Sequence, residues 1–136
     1  MLSEIDLLMK LDHPCIVQMF YYLFYERKSF RRNSVEVGIV IERGTMTLED
    51  FIRIEKKNRG FINPQVVEGF IINALHMMTY MHSQNIVHRD IKPTNIIITS
   101  IEPLEFKLID FGLGAQIADN EVCRGLFFGT YSYASP

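Results

Sequence analysis

Between Ile86 and Gly112 the chain reads Ile-Val-His-Arg-Asp-Ile-Lys-Pro-Thr-Asn-Ile-Ile-Ile-Thr, then a short segment from Ser100 to Glu105, then Phe-Lys-Leu-Ile-Asp-Phe-Gly. This stretch restricts the fold more than any other. Its apolar runs, Ile86-Val87, Ile96 to Thr99 and Phe106 to Ile109, call for burial, and the last two are expected to pair as a β-hairpin. Asp90, Lys92, Asn95 and Asp110 stand in the breaks between the runs. Packing the runs therefore presents two carboxylates, an amide and an ammonium from loops. Oxygen donors gathered this way suit Mg2+, which takes one or two carboxylates, keeps waters and shares phosphate oxygens. A lysine beside them would face a phosphate rather than bury itself. The pattern implies phosphoryl transfer; the bland reading is two solvated turns that carry Asp and Asn by chance.

The spacing is specific. His88-Arg89-Asp90-x-Lys92-Pro93-x-Asn95 sets six letters, which at roughly 5% usage each would occur by chance in on the order of one chain per million of this length. Asp110-Phe111-Gly112 follows a hairpin's length downstream. Together these residues resemble the catalytic loop and metal-binding turn of eukaryotic protein kinases. Lys92, two residues after Asp90, resembles the serine/threonine type. By this resemblance Asp90 is the base that accepts or orients the substrate hydroxyl proton, and Lys92 stabilises the transferring phosphate. Asn95 and Asp110 are the ligands of Mg2+ bridging the phosphates of ATP.

The resemblance extends over the whole chain. Glu4 lies in a helix leading to His13-Pro14-Cys15-Ile16-Val17 and resembles the glutamate that pairs with a nucleotide-binding lysine. Leu8, Met19, His88 and Phe111 match the stacked apolar column of that family. Ile41 falls at the pocket-controlling position, and Glu42-Arg43-Gly44 falls at the hinge. Gly44 would offer backbone N–H and C=O to adenine, with Leu48 and Ile97 sandwiching the ring. Gly129 to Pro136 resembles the Gly-Thr-x-x-Tyr-x-x-Pro-Glu segment that shapes the substrate site, and Thr130 would bridge Asp90 and Lys92.

The implied fold is α+β, a partial kinase-like bilobal domain: the end of the small lobe (a helix and two strands, 1–41), a hinge (42–46) and the first part of the helical large lobe (47–136). The catalytic loop is expected at 88–95 and the activation segment at 110–136. No Gly-x-Gly-x-x-Gly and no Val-Ala-Ile-Lys strand precede the first helix, and no helical remainder follows Pro136. The sequence thus reads as a truncated gene product or an incomplete gene model. The expected activity is that of an ATP- and Mg2+-dependent serine/threonine protein kinase acting on a protein hydroxyl, inactive as this segment alone. The alternatives are a non-catalytic kinase-like binding module and a small-molecule phosphotransferase with an His-x-Asp…Asn loop. Lys92-Pro93 and Gly129-Thr130 favour a protein substrate over a small molecule.

Control reads differently from the family pattern. Arg89 ordinarily pairs there with a phosphorylated loop residue, yet no Ser, Thr or Tyr lies between Gly112 and Gly129. Asp119 or Glu121 is expected to supply the anion instead.

The remaining sequence predicts the frame. Leu2, Ile5, Leu8 and Met9 have helical spacing, and Asp12-His13-Pro14 ends that helix. Ile16 to Tyr25 and Val35 to Ile41 read as strands around the polar loop Arg27 to Ser34, whose four cations are expected to be solvated rather than to hold an acidic partner. Thr47 caps a helix to about Lys57, and Asn63-Pro64 opens the longest helix, to about Ser83. Val67, Phe70, Ile71, Ala74, Met78 and Met81 are expected on its core face. His76 and His82 are too isolated for a metal site. Leu113 to Phe128 lacks periodicity and reads as a loop.

Composition sets outer bounds. At 136 residues and 48% apolar content the chain can build a core, and a net charge of −2 argues for neither nucleic-acid nor membrane binding. Cys15 and Cys123 form no metal spacing and no disulfide framework, which points to a reducing compartment. No apolar run approaches the length of a membrane span, and the start has no signal-peptide character, so an intracellular, cytoplasmic location is expected.

Overall fold

The computed structural model describes residues 2–27, 34–117 and 129–133. The first helix, α1 (Leu2–Lys10), buries Ile5, Leu7 and Leu8, and Leu11 follows them into the core just past its end. Pro14 keeps the helix from continuing.

Strands β1 (Met19–Arg27) and β2 (Ser34–Ile41) form an antiparallel pair. The expected start of the first strand at Ile16 is corrected. Residues 15–17 are stitched to a distant strand instead: Val17 N–H donates to the Leu108 carbonyl at 3.0 Å, and Leu108 N–H donates to the Cys15 carbonyl at 2.8 Å. Cys15, Ile16 and Val17 are all buried there, and that burial outweighs continuing the β1 ladder. The loop at 28–33 lies outside the described residues.

Beyond β2 the chain crosses to the short strand β3 (Met46–Thr47), then to α2 (Leu48–Arg59) and α3 (Pro64–Ser83). Thr47 caps α2 by accepting the Asp50 N–H, and Gly60 ends it at φ 77° with its N–H on the Lys56 carbonyl. Asn63 caps α3 through the Gln65 N–H, with Pro64 in the first turn. The face α3 turns inward is not the whole expected one. Phe70, Ala74, Met77 and Met81 pack inward, and Phe70 meets Phe106 at 4.5 Å between ring centres, whereas Val67 and Ile71 are exposed. This helix carries apolar residues nearly all round, so contact with its neighbours rather than periodicity selects the buried side.

The hairpin of β5 (Ile96–Ile101) and β6 (Leu104–Leu108) is longer and its turn tighter than expected. β3 joins its β5 edge, giving the order β3-β5-β6. Strand β4 (Ile86–Val87) pairs with β7 (Ala115–Gln116). The loop expected from Leu113 onward is therefore corrected at its start: two residues become a strand because Ile86 and Val87 offer them a ladder, a non-local cause that no local period records. Residues 118–128 and 134–136, including Asp119, Glu121 and Cys123, lie outside the described residues.

The core gathers α1, α3 and the β5–β6 hairpin around Met77, Met81, Ile86, Ile98, Leu108 and Phe111. Tyr80 of α3 also accepts the Asp12 N–H at 2.8 Å and stacks on His13, tying the link after α1 to the long helix. Among the described residues no helix is long and apolar enough to cross a membrane.

Candidate active site

The site grows from the end of β4. His88, 2% exposed, turns its ring inward: Nδ1 accepts the Asp90 N–H at 3.2 Å, and Nε2 lies 3.0 Å from the Ile109 carbonyl. A neutral ring with its proton on Nε2 satisfies both contacts. Burial pulls the His88 pKa below its ordinary value, against the pull of the Ile109 carbonyl and the nearby Asp110 and Asp90. The ring also meets the Phe111 ring edge-on at 4.7 Å. One buried histidine thus ties the loop carrying Asp90 to the turn carrying Asp110.

Arg89 at φ 68° and Asp110 at φ 63° both occupy left-handed backbone, which costs a non-glycine residue on the order of 1–3 kcal/mol. Each flanks or forms the polar cluster, where the surrounding bonds hold the strain. The Arg89 guanidinium donates from Nε to the Leu113 carbonyl at 2.6 Å and from Nη2 to the Gly114 carbonyl at 3.5 Å. It therefore fastens the start of the segment after Asp110.

Asp90, 8% exposed, is the hub. Its Oδ2 lies 2.7 Å from Lys92 Nζ and accepts Asn95 Nδ2 at 3.0 Å, while Oδ1 accepts the Thr130 hydroxyl at 2.8 Å. Lys92 Nζ also donates to Thr130 Oγ1 at 3.0 Å. Asp90, Lys92 and Thr130 close a triangle. The Lys92 bond first, then those from Thr130 and Asn95, hold the Asp90 carboxyl below its usual range against the opposing effect of burial. Asp90 is therefore ionised at neutral pH. Gly129 makes this docking possible: at φ 112°, a Cβ there would stand 2.3 Å from the Arg89 carbonyl oxygen.

Asn95 commits its amide nitrogen to Asp90, to both the carboxylate and the backbone carbonyl. The side-chain atom suited to a metal is then Oδ1. The Asp110 carboxylate is exposed, and its Oδ1 accepts the Gly112 N–H at 3.3 Å. Glu4 reaches this turn from α1, its Oε2 3.9 Å from where a Cβ on Gly112 would stand; burial, then the charge of Asp110, raises its pKa. Two hard oxygen donors of this kind fit Mg2+, an ion that completes its shell with water and phosphate oxygens.

The predicted adenine-side residues separate. Gly44 lies against Ile97, whose Cβ would be 2.7 Å from a Cβ added at Gly44, so only glycine allows this approach. Leu48 instead turns into the core and the small cleft between α2 and α3. The Glu42 side chain turns to Lys107 Nζ at 2.9 Å and the Gln18 N–H at 2.7 Å. Of the expected apolar column, Leu8, His88 and Phe111 are buried and Met19 is half-buried.

Sequence reasoning assigned nothing to Lys107 or Gln18. Period-two alternation does put Lys107 on the face opposite Phe106 and Leu108. Its partner lies 65 positions earlier in the chain, beyond any local pattern.

Comparison with known proteins gives a family match. The family model for the protein kinase domain matches residues 1–136. Over 135 residues the chain is 33% identical to sperm motility kinase 2B of Mus musculus, covering 99% of this chain and 25% of that protein. It is 30% identical over 135 residues to calcium/calmodulin-dependent protein kinase type IV of Homo sapiens, covering 98% of this chain and 26% of that protein. The chain thus spans about a quarter of the length of these relatives. With α+β architecture, helices beside antiparallel strands and a family match along its whole length, the chain belongs to the protein kinase family.

Proposed function

We propose that this segment carries the phosphoryl-transfer centre of an ATP- and Mg2+-dependent serine/threonine protein kinase. The observation that carries the reading is the Asp90–Lys92–Thr130 triangle with Asn95 bonded to Asp90. An ionised carboxylate held by three donors is poised to accept the proton of a substrate hydroxyl. Lys92 stands beside it to neutralise charge on the transferring group. Asn95 Oδ1 and Asp110 would hold Mg2+, which supplies charge neutralisation on the nucleotide phosphates when bound. The segment 42–46 would serve as the hinge, with the Gly44 backbone toward adenine and Ile97 beneath it. Residues 88–95 would form the catalytic loop and 110–136 the activation segment, with Thr130 marking the place of a protein hydroxyl.

A non-catalytic kinase-like module is the second reading, and one observation favours it: among the described residues the Glu4 carboxylate makes no ion pair with a lysine. Incubation with Mg-ATP and a generic protein substrate separates the two. Residues 1–136 alone are expected to show little or no turnover. A longer form bearing a glycine-rich loop and a lysine strand is expected to phosphorylate serine and threonine, and to lose a hundredfold or more, about 3 kcal/mol, on Asp90→Ala. Transfer by that form undiminished in Asp90→Ala would overturn the assignment, and no transfer at all would favour the binding module.

A further inference from the structure

The Lys107–Glu42 pair belongs to no role derived above, although it joins the strand leading to Asp110 with the segment leading to Gly44. Both side chains are only 20% exposed, and Nζ stands 2.9 Å from Oε1. The same oxygen accepts the Gln18 N–H at 2.7 Å, and the Glu42 N–H in turn donates to the Gln18 carbonyl at 3.0 Å. Glu42 is thus held by side chain and backbone together. Charge-assisted bonds of this kind, partly withdrawn from water, are stronger than exposed ion pairs.

The register of the hairpin adds a second contact. Lys107 on β6 is the cross-strand partner of Ile97 on β5, so both side chains project from one face. Ile97 lies against Gly44 and Lys107 holds Glu42. One cross-strand pair therefore grips residues 42 and 44 at once, and Asp110 follows Lys107 by three residues, just past the end of β6.

We propose that Lys107 is a positioning residue for nucleotide binding: with Ile97 it clamps residues 42–44 at a set distance from the strand that delivers Asp110. This rests on the kinase reading of the site. Its consequence is specific. Loss of the Lys107 charge removes one of the bonds that hold residue 42, loosens it and misaligns the adenine-side backbone with the metal-binding carboxylate, while the Asp90 cluster, which Lys107 does not touch, stays intact.

Two measurements test it. Amide hydrogen exchange on residues 1–136 reads the clamp without any nucleotide. Lys107→Met is expected to speed exchange at the Glu42 amide about tenfold, the effect of losing one charge-assisted bond, with Glu42→Gln behaving alike and Lys107→Arg close to the parent. Unchanged exchange at Glu42 in both Lys107→Met and Glu42→Gln overturns the clamp. Titration with a fluorescent ATP analogue and Mg2+ reads the positioning role, in a form of the protein that binds it. There Lys107→Met is expected to raise Kd about tenfold and Lys107→Arg to restore it, with thermal unfolding recorded in parallel. A lowered unfolding temperature with unchanged Kd would show a merely structural pair and overturn the role. If the parent binds no nucleotide in any form, the kinase reading falls and the positioning role with it, while the exchange result still judges the clamp.

Discussion

At the scale of single residues, His88 shows how burial replaces charge with geometry. Its ring is worth more neutral than protonated, because the neutral form can accept from Asp90 N–H and donate to Ile109 at once. The sign of its pH dependence follows. The folded pKa lies below the ordinary value of about 6.5, so on acidification the unfolded chain takes up a proton that the folded chain refuses. This contribution to stability is whole above about pH 6.5 and declines as the pH falls below it, by at most about 1.4 kcal/mol per pH unit. His13, lowered first by burial, acts with the same sign, whereas Glu4, raised by burial, opposes it as it protonates. NMR titration of the His88 ring is expected to give a midpoint clearly below that of a free histidine; a midpoint at or above it would refute the neutral, bridging ring.

At the scale of elements, the site depends on docking between segments distant in the chain. The turn at Gly129 sits on the Arg89 carbonyl and delivers Thr130 to Asp90 and Lys92. Gly129→Ala must place a Cβ into that carbonyl and adopt φ 112°, so it is expected to cost more than about 1 kcal/mol and to release the Thr130 hydroxyl. Denaturant unfolding checks the first effect; an unaltered midpoint would show that the turn does not dock as described. The glycine was legible in the sequence as part of a motif, but the reason for it is the close backbone approach. The N-caps were legible: Thr47 and Asn63 each act on an N–H two or three residues ahead, so local chemistry decides them. The buried side of α3 was not, because the choice among its apolar faces belongs to Phe106 and the rest of the core.

At the scale of the whole molecule, the described residues leave apolar surface open. Tyr22 and Phe24, 43% and 59% exposed, share one face of β1 opposite Ile39 and Val37 of β2, and Phe20, at the break in the pairing, is 59% exposed. Val67, Ile71 and Leu75 form a second open stripe along α3. Contiguous apolar patches of this sort drive association in water. Residues 1–136 in isolation are therefore expected to self-associate with rising concentration, and the combined Phe20→Thr and Phe24→Thr change is expected to weaken this in sedimentation velocity. A chain that stays monomeric throughout would show that this surface is not sticky.

What the sequence determined by itself was the family and its local frame. His88 to Asn95 and Asp110 to Gly112 carry their meaning in residue type and spacing, and helix ends carry theirs in capping groups, all of which act over a few positions. Tertiary structure alone decided the long-range attachments. Residues 15–17 joined β6 rather than β1, and Ala115-Gln116 became a strand on Ile86-Val87. The Glu42 side chain found its partner in Lys107 for the same reason. Each of these is a pairing of one group with another far along the chain, chosen by which buried polar atoms needed partners once the core had closed.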